Sequence, residues 1–115
     1  FHMEVIKRAG SLFIHLHEAP PIRGHRPSVD ILFRSIGNLE TYQKIAVILT
    51  GMGNDGTEGL KHLKEKGKTK TAAFAESEES CVVYGMPRSA IHSGLVDEVH
   101  HLKDMSKRIN QYILS

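Results

Sequence analysis

Two short alternating segments, Met3-Glu4-Val5-Ile6-Lys7 and Leu12-Phe13-Ile14-His15-Leu16-His17, flank Ala9-Gly10-Ser11. Alternation on both sides of a glycine predicts a β-hairpin turning at Gly10, with Leu12, Ile14 and Leu16 on one face of the second arm. Pro20, Pro21 and Gly24 then break regular structure. Pro27 suits a helix's first turn, and Val29, Leu32, Phe33, Ile36 and Leu39 recur at steps of three and four, so an amphipathic helix is predicted from 27 to about 40. Residues 45–50 form a continuous aliphatic run, as expected of a strand covered on both faces. A second helix should run from Gly56 to about Lys66, with Leu60 and Leu63 inward and Gly67 ending it. Next come a strand at 71–75, an acid-rich turn, a helical segment from about Glu79, and a short helix opened by Pro87 and stopped by Gly94. A strand at 95–99 and a helix from near Asp104, striped by Leu102, Met105, Ile109 and Ile113, complete the chain. This alternation predicts an α/β fold, doubly wound, with a mostly parallel sheet, helices on both faces and an N-terminal β-hairpin.

The strand at 45–50 ends in Gly51-Met52-Gly53-Asn54-Asp55-Gly56. Ligands bind beyond the carboxyl ends of parallel strands, and a glycine-rich turn there can hold Asp55 in a fixed position. On the residues alone, Asp55 is first a cap of the helix that follows it, accepting its free backbone N–H groups. A glycine turn opening a helix can also bind phosphate, but a carboxylate in the turn repels phosphate and no P-loop lysine follows.

With its flanks, Leu49-Thr50-Gly51-Met52-Gly53-Asn54-Asp55-Gly56 resembles the catalytic-aspartate segment of the chemotaxis protein-glutamate methylesterases, the CheB family. His25-Arg26-Pro27-Ser28-Val29-Asp30-Ile31-Leu32-Phe33 is similar to the family's segment before a long helix. Ser80-Cys81-Val82-Val83-Tyr84-Gly85-Met86-Pro87-Arg88 is similar to its segment after a later strand, and the resemblance covers essentially the whole chain. It implies a serine-type carboxylic ester hydrolase that removes glutamate γ-methyl esters on methyl-accepting chemotaxis receptors and, in many members, deamidates glutamine at the same sites. Asp55 would be the triad aspartate, and Met52 and Gly53 would contact substrate. No cofactor and no metal is implied, and a regulatory receiver domain commonly controls such enzymes.

The family's serine and histidine lie in Gly/Ser-rich and Gln-His segments that this sequence does not contain. Residues 1–115 are therefore expected to be the C-terminal portion of the catalytic domain, a partial domain, inactive by itself because a lone carboxylate performs no acyl transfer. The alternative is a non-enzymatic truncated or split module that binds a receptor or an enzyme half. A half-domain leaves apolar faces uncovered, so homodimerisation, swapping or missing upstream residues are expected.

Composition narrows the setting. Fifteen basic and thirteen acidic residues give a net charge of +2, which points to no nucleic-acid partner. One cysteine and no long apolar run suggest a reducing, cytoplasmic location. Cys81, in an apolar setting, is first a packing residue and only second a nucleophile. His15 with His17, and His100 with His101, lack further ligands at metal-site spacing and are expected to be exposed polar positions. His25, Ser28 and Asp30 carry the residue types of a triad, yet on a helix beginning at Pro27 they diverge, so Ser28 and Asp30 are first a helix start. Glu76-Ser77 stands where the family more often has Gln followed by Asn or Asp, exchanging an amide donor for a charge.

Overall fold

The structure, a computed structural model, describes residues 1–66 and 69–115, so the expected helix end at Gly67 lies outside the described residues. The chain divides into two compact units, Phe1–Lys44 with Asp55–Thr71, and Ile45–Asn54 with Ala72–Ser115.

The first unit opens with strands β1 (His2–Arg8) and β2 (Ser11–His17), paired antiparallel with Arg8 opposite Ser11. Ala9 and Gly10 are the two loop residues, at φ 50° and 83°. Both values are positive, as the tight turn matching the twist of a hairpin demands. Helix α1 (Val29–Gly37) starts two residues later than expected, because Ser28 remains extended at φ −111° and serves as its N-cap. Ser35 Oγ accepts from Val5 N–H at 2.9 Å and donates to Leu32 C=O at 2.7 Å, tying α1 to β1. Helix α2 (Thr57–Glu65) buries Leu60 and Leu63 as its periodicity requires.

Strands β3 (Lys44–Ile48), β4 (Thr71–Glu76) and β5 (Glu98–His100) make a parallel sheet in that order, the frame of the second unit. Helices α3 (Met86–His92) and α4 (Leu102–Leu114) follow β4 and β5. The α/β class, the parallel sheet and the antiparallel hairpin all agree with the periodicity of the sequence. The unit's core is Ala72, Phe74 and Met105, with Ile45, Val47, Ile109 and Tyr112 against it. Phe74 and Tyr112 meet edge to face at 5.8 Å. Arg108 donates to both oxygens of Glu98, at 2.6 and 2.7 Å, and with His100 it lowers the Glu98 pKa to about 2.

Further boundaries differ from expectation, and at β5 and α4 side chains take over backbone pairing. The final strand spans Glu98–His100 rather than 95–99. Asp97 carboxylate accepts from Ala73 N–H at 2.8 Å while its own N–H donates to Ala73 C=O, replacing a regular ladder step. Helix α4 starts at Leu102 rather than Asp104, since Ser80 Oγ accepts from Leu102 N–H and His101 Nδ1 from Lys103 N–H. Of its predicted stripe only Met105 is buried, and Ile113 is exposed. The helical segment expected from Glu79 is a single 3-10 turn, Glu78–Ser80.

Where α1 and α2 meet, a Cβ on Gly59 would stand 2.7 Å from Phe33 Cβ and 2.9 Å from Asp30 Cα. In an exposed helix, glycine to alanine gains about 1 kcal/mol. Here overpacking against backbone reverses the sign. Gly59→Ala is expected to cost about 1–3 kcal/mol in urea unfolding, and a gain in stability would contradict this packing.

Candidate active site

Asp55 lies just before α2, yet its described bonds go to another helix. Its carboxylate reaches the start of α1, where Oδ1 accepts from Ser28 Oγ and Asp30 N–H, both at 3.0 Å, and Oδ2 accepts from Val29 N–H at 2.7 Å. Asp30 does the reverse. Its Oδ1 accepts from Gly56 N–H at 2.9 Å and from Gly59 N–H at 2.7 Å, in the first turn of α2. Each helix is thus capped by the carboxylate that precedes or opens the other. The capping expected of Asp55 exists, on a different helix.

Crowding two carboxylates here separates their acidities. Burial opposes ionisation of Asp55, but the N–H groups of Val29 and Asp30, the Ser28 hydroxyl and the charge of His25 together hold its pKa below the ordinary 3.8. Burial raises the Asp30 pKa, and the nearby Asp55 charge adds to that, against the N–H bonds from Gly59 and Gly56. One carboxyl is kept ionised while its neighbour is pushed toward neutrality.

His2 completes this arrangement. The ring is fully buried, Nδ1 accepts from Ser28 N–H at 3.2 Å, and Nε2 is 3.0 Å from Pro20 C=O. With Nδ1 accepting, Nε2 is the ring nitrogen placed to donate to Pro20 C=O. Ser28, itself buried, is therefore held by His2 through its N–H and grips Asp55 through its hydroxyl. Spacing did not reveal Asp30 as a partner of Asp55 or His2 as a partner of Ser28, and Ser28 read first as a helix start, with a supporting role near the site allowed by the resemblance. Asp30 also lines a cavity of about 230 Å³ with Ile22, Arg23, Ile31, Arg34 and Glu58, and Arg23 stands 3.5 Å from its carboxylate.

Met52 and Gly53 belong to the second unit. Met52 is 76% exposed and Gly53 takes φ 88°. Their loop is pinned within that unit. Gly51 N–H donates to Val83 C=O at 3.0 Å, and Gly51 C=O accepts from Gly85 and Met86 N–H at 3.0 and 2.8 Å. A Cβ on Gly85 would stand 2.7 Å from that same carbonyl oxygen, so the close approach requires glycine. Glu76, the departure noted in the sequence, is buried, and its carboxyl oxygens accept from Thr50 N–H and Ser80 Oγ, both at 2.8 Å.

The remaining sequence candidates take structural roles. His17 pairs with Glu4 at 2.8 Å, His100 with Glu98 at 2.7 Å, and His101 caps α4. Burial pushes the Cys81 thiol up, and the Glu76 charge pushes it further, which opposes a thiolate nucleophile.

The CheB methylesterase family model matches residues 1–109. The chain belongs to the CheB methylesterase family. Protein-glutamate methylesterase/protein-glutamine glutaminases of Halalkalibacterium halodurans and Bacillus subtilis are similar to this CheB-family chain at 52% and 47% identity. The matches cover 90% and 97% of the chain but 29% and 31% of those relatives, so the chain spans about three-tenths of their length. The crystal structure of the Thermotoga maritima CheB methylesterase catalytic domain superposes with a TM-score of 0.89 at 35% identity, covering 97% of this chain and 58% of that one. Among the described residues, no helix of this CheB-family chain is long and apolar enough to cross a membrane.

The acidities give a signed expectation. Asp55 has a folded pKa below its unfolded one, so its contribution to stability is present above pH 3.8 and lost as pH falls through the folded value. Asp30, with a raised folded pKa, contributes below 3.8 and loses that contribution as pH rises through its folded value. Ser28→Ala removes a donor to the charged form of Asp55. It should raise the Asp55 pKa, read from its carboxyl carbon shift, and cost about 1.5–3 kcal/mol at neutral pH. The cost should shrink in acid, and a pH-independent loss would contradict the assignment.

Proposed function

We propose that residues 1–115 are the C-terminal portion of a CheB-type catalytic domain that hydrolyses glutamate γ-methyl esters on methyl-accepting chemotaxis receptors and deamidates glutamine at the same sites. In this reading Asp55 is the aspartate of a Ser-His-Asp triad whose serine and histidine come from other polypeptide. The observation that carries it is the state of the Asp55 carboxylate, held ionised and fixed in direction by Ser28, Val29 and Asp30. A triad needs that state: the carboxylate sets the tautomer of the histidine and stabilises the imidazolium while remaining charged itself. A carboxylate has about four lone-pair positions, and the three donors named here leave Oδ2 able to accept an imidazole N–H.

Met52 and Gly53 are proposed to contact substrate, the first through its exposed side chain and the second through backbone opened by its positive φ. The setting is cytoplasmic, no cofactor takes part, no nucleic acid is bound, and a receiver domain of the full-length protein is the regulatory partner. The polypeptide of residues 1–115 has no esterase activity of its own, because it holds one triad role of three.

The competing reading, a non-enzymatic module, draws on the same carboxylate: the three described donors to Asp55 belong to the start of α1, as in a purely structural cap. Mixing the chain with a separately made segment carrying the family's serine and histidine decides between them. Restored ester hydrolysis, reduced about 10⁴-fold by Asp55→Asn, supports the triad, and binding without turnover supports the module.

The hairpin bears on self-association. Leu12, Phe13, Ile14 and Leu16 of β2 are all exposed, Ile14 to 67%. We propose that this apolar strand joins two copies when the chain stands alone. Sedimentation should show a concentration-dependent dimer that Ile14→Lys weakens; a monomer at all concentrations contradicts it.

A further inference from the structure

The exchange of caps makes Asp30 more than a helix residue. We infer that Asp30 is a positioning residue for Asp55: by holding the Gly56 and Gly59 N–H groups it sets the backbone immediately after Asp55, and so aims the Asp55 carboxylate. This rests on the reading of Asp55 as the triad aspartate.

The argument is geometric. Gly56 follows Asp55 directly and takes φ 100°, a conformation with no side chain to hold it. Its N–H is held by Asp30 Oδ1 at 2.9 Å, and the same oxygen holds Gly59 N–H at 2.7 Å. Asp30 in turn is placed by Asp55, whose Oδ1 takes the Asp30 N–H. The loop of bonds runs from the Asp55 carboxylate to the Asp30 backbone, along the Asp30 side chain to the Gly56 backbone, and back to Asp55 through one peptide bond. A closed loop of this kind leaves the carboxylate little freedom, because displacing it breaks bonds at both helix starts. Gly59 permits the closure by letting the Asp30 backbone approach α2.

A cap that merely stabilised α2 would be felt at Gly56 and Gly59 alone. Positioning must also be felt at Val29, whose N–H goes to Asp55 Oδ2 and touches nothing of the Asp30 side chain among the bonds described. The chemistry of the acceptor separates geometry from charge. Both bonds end on Oδ1, so asparagine can accept both without a charge, whereas glutamate keeps the charge but moves the oxygen by a methylene.

The experiment compares Asp30→Asn, Asp30→Glu and Asp30→Ala in the intact polypeptide that carries this segment, reading Val29 amide exchange and methyl-ester hydrolysis. For Asp30→Glu and Asp30→Ala we expect Val29 exchange faster by about tenfold and kcat lower by about tenfold with KM held within about twofold. Asp30→Asn should stay close to the wild type in both. If Asp30→Ala does not fold, the Asn and Glu pair decides. Unchanged Val29 exchange in Asp30→Glu, or a larger loss in Asp30→Asn than in Asp30→Glu, overturns the inference. Asp55→Ala is run alongside: hydrolysis that survives it removes the triad reading, while the Val29 amide still tests the positioning.

Discussion

Two carboxylates facing the starts of each other's helices are the constraint on which the first unit rests. The first N–H groups of any helix lack intrahelical partners and carry the positive end of its dipole. In this chain α1 receives the Asp55 carboxylate and α2 receives that of Asp30. The arrangement demands close approach, which Gly59 allows, and a fixed Ser28, which the buried His2 supplies. Like charges this near cannot be equally acidic. The residue with three donors stays ionised and the other shifts upward, so the asymmetry of the hydrogen bonds becomes an asymmetry of charge.

The second unit uses the same device with different groups. Glu76 lies buried at the end of β4 and takes the Thr50 N–H just beyond β3, while its other oxygen takes the Ser80 hydroxyl. Ser80 then accepts the first N–H of α4. Gly51 is secured by the backbone of Val83, Gly85 and Met86. Buried Glu76 and the backbone of Val83, Gly85 and Met86 thus fix the segment just before the Met52-Gly53 turn, and Met52 itself is left exposed. A carboxylate fits at Glu76 because both neighbours act as donors.

Capping and the proposed catalytic role do not compete at Asp55. A carboxylate that only capped a helix would carry the same three bonds. Membership of the CheB family supplies the chemical context, and the lowered pKa favours the charged form that the proposed role needs. Burial serves both purposes, since an ionised group away from water exerts a stronger field on whatever it faces.

Much of the fold was legible because it follows from local periodicity. The hairpin turned at Gly10, Leu60 and Leu63 went inward, and Pro87 opened a helix, as their spacing required. The glycine turn singled out Asp55 because it is the one carboxylate in the turn that ends the aliphatic strand. What periodicity could not reveal was the partner of each polar group. His2 and Ser28 are separated by 26 residues, and Asp30 and Gly56 by the same number, so no window of local sequence contains both ends of either bond. Boundaries moved for the same reason, where Asp97, Ser80 and His101 lent side chains to backbone pairing. By itself the sequence determined the α/β class and most of the segments that are helix or strand. Only the tertiary structure decided which helix the Asp55 carboxylate caps and which acid stays charged, because hydrogen bonds and burial depend on distance in space rather than along the chain.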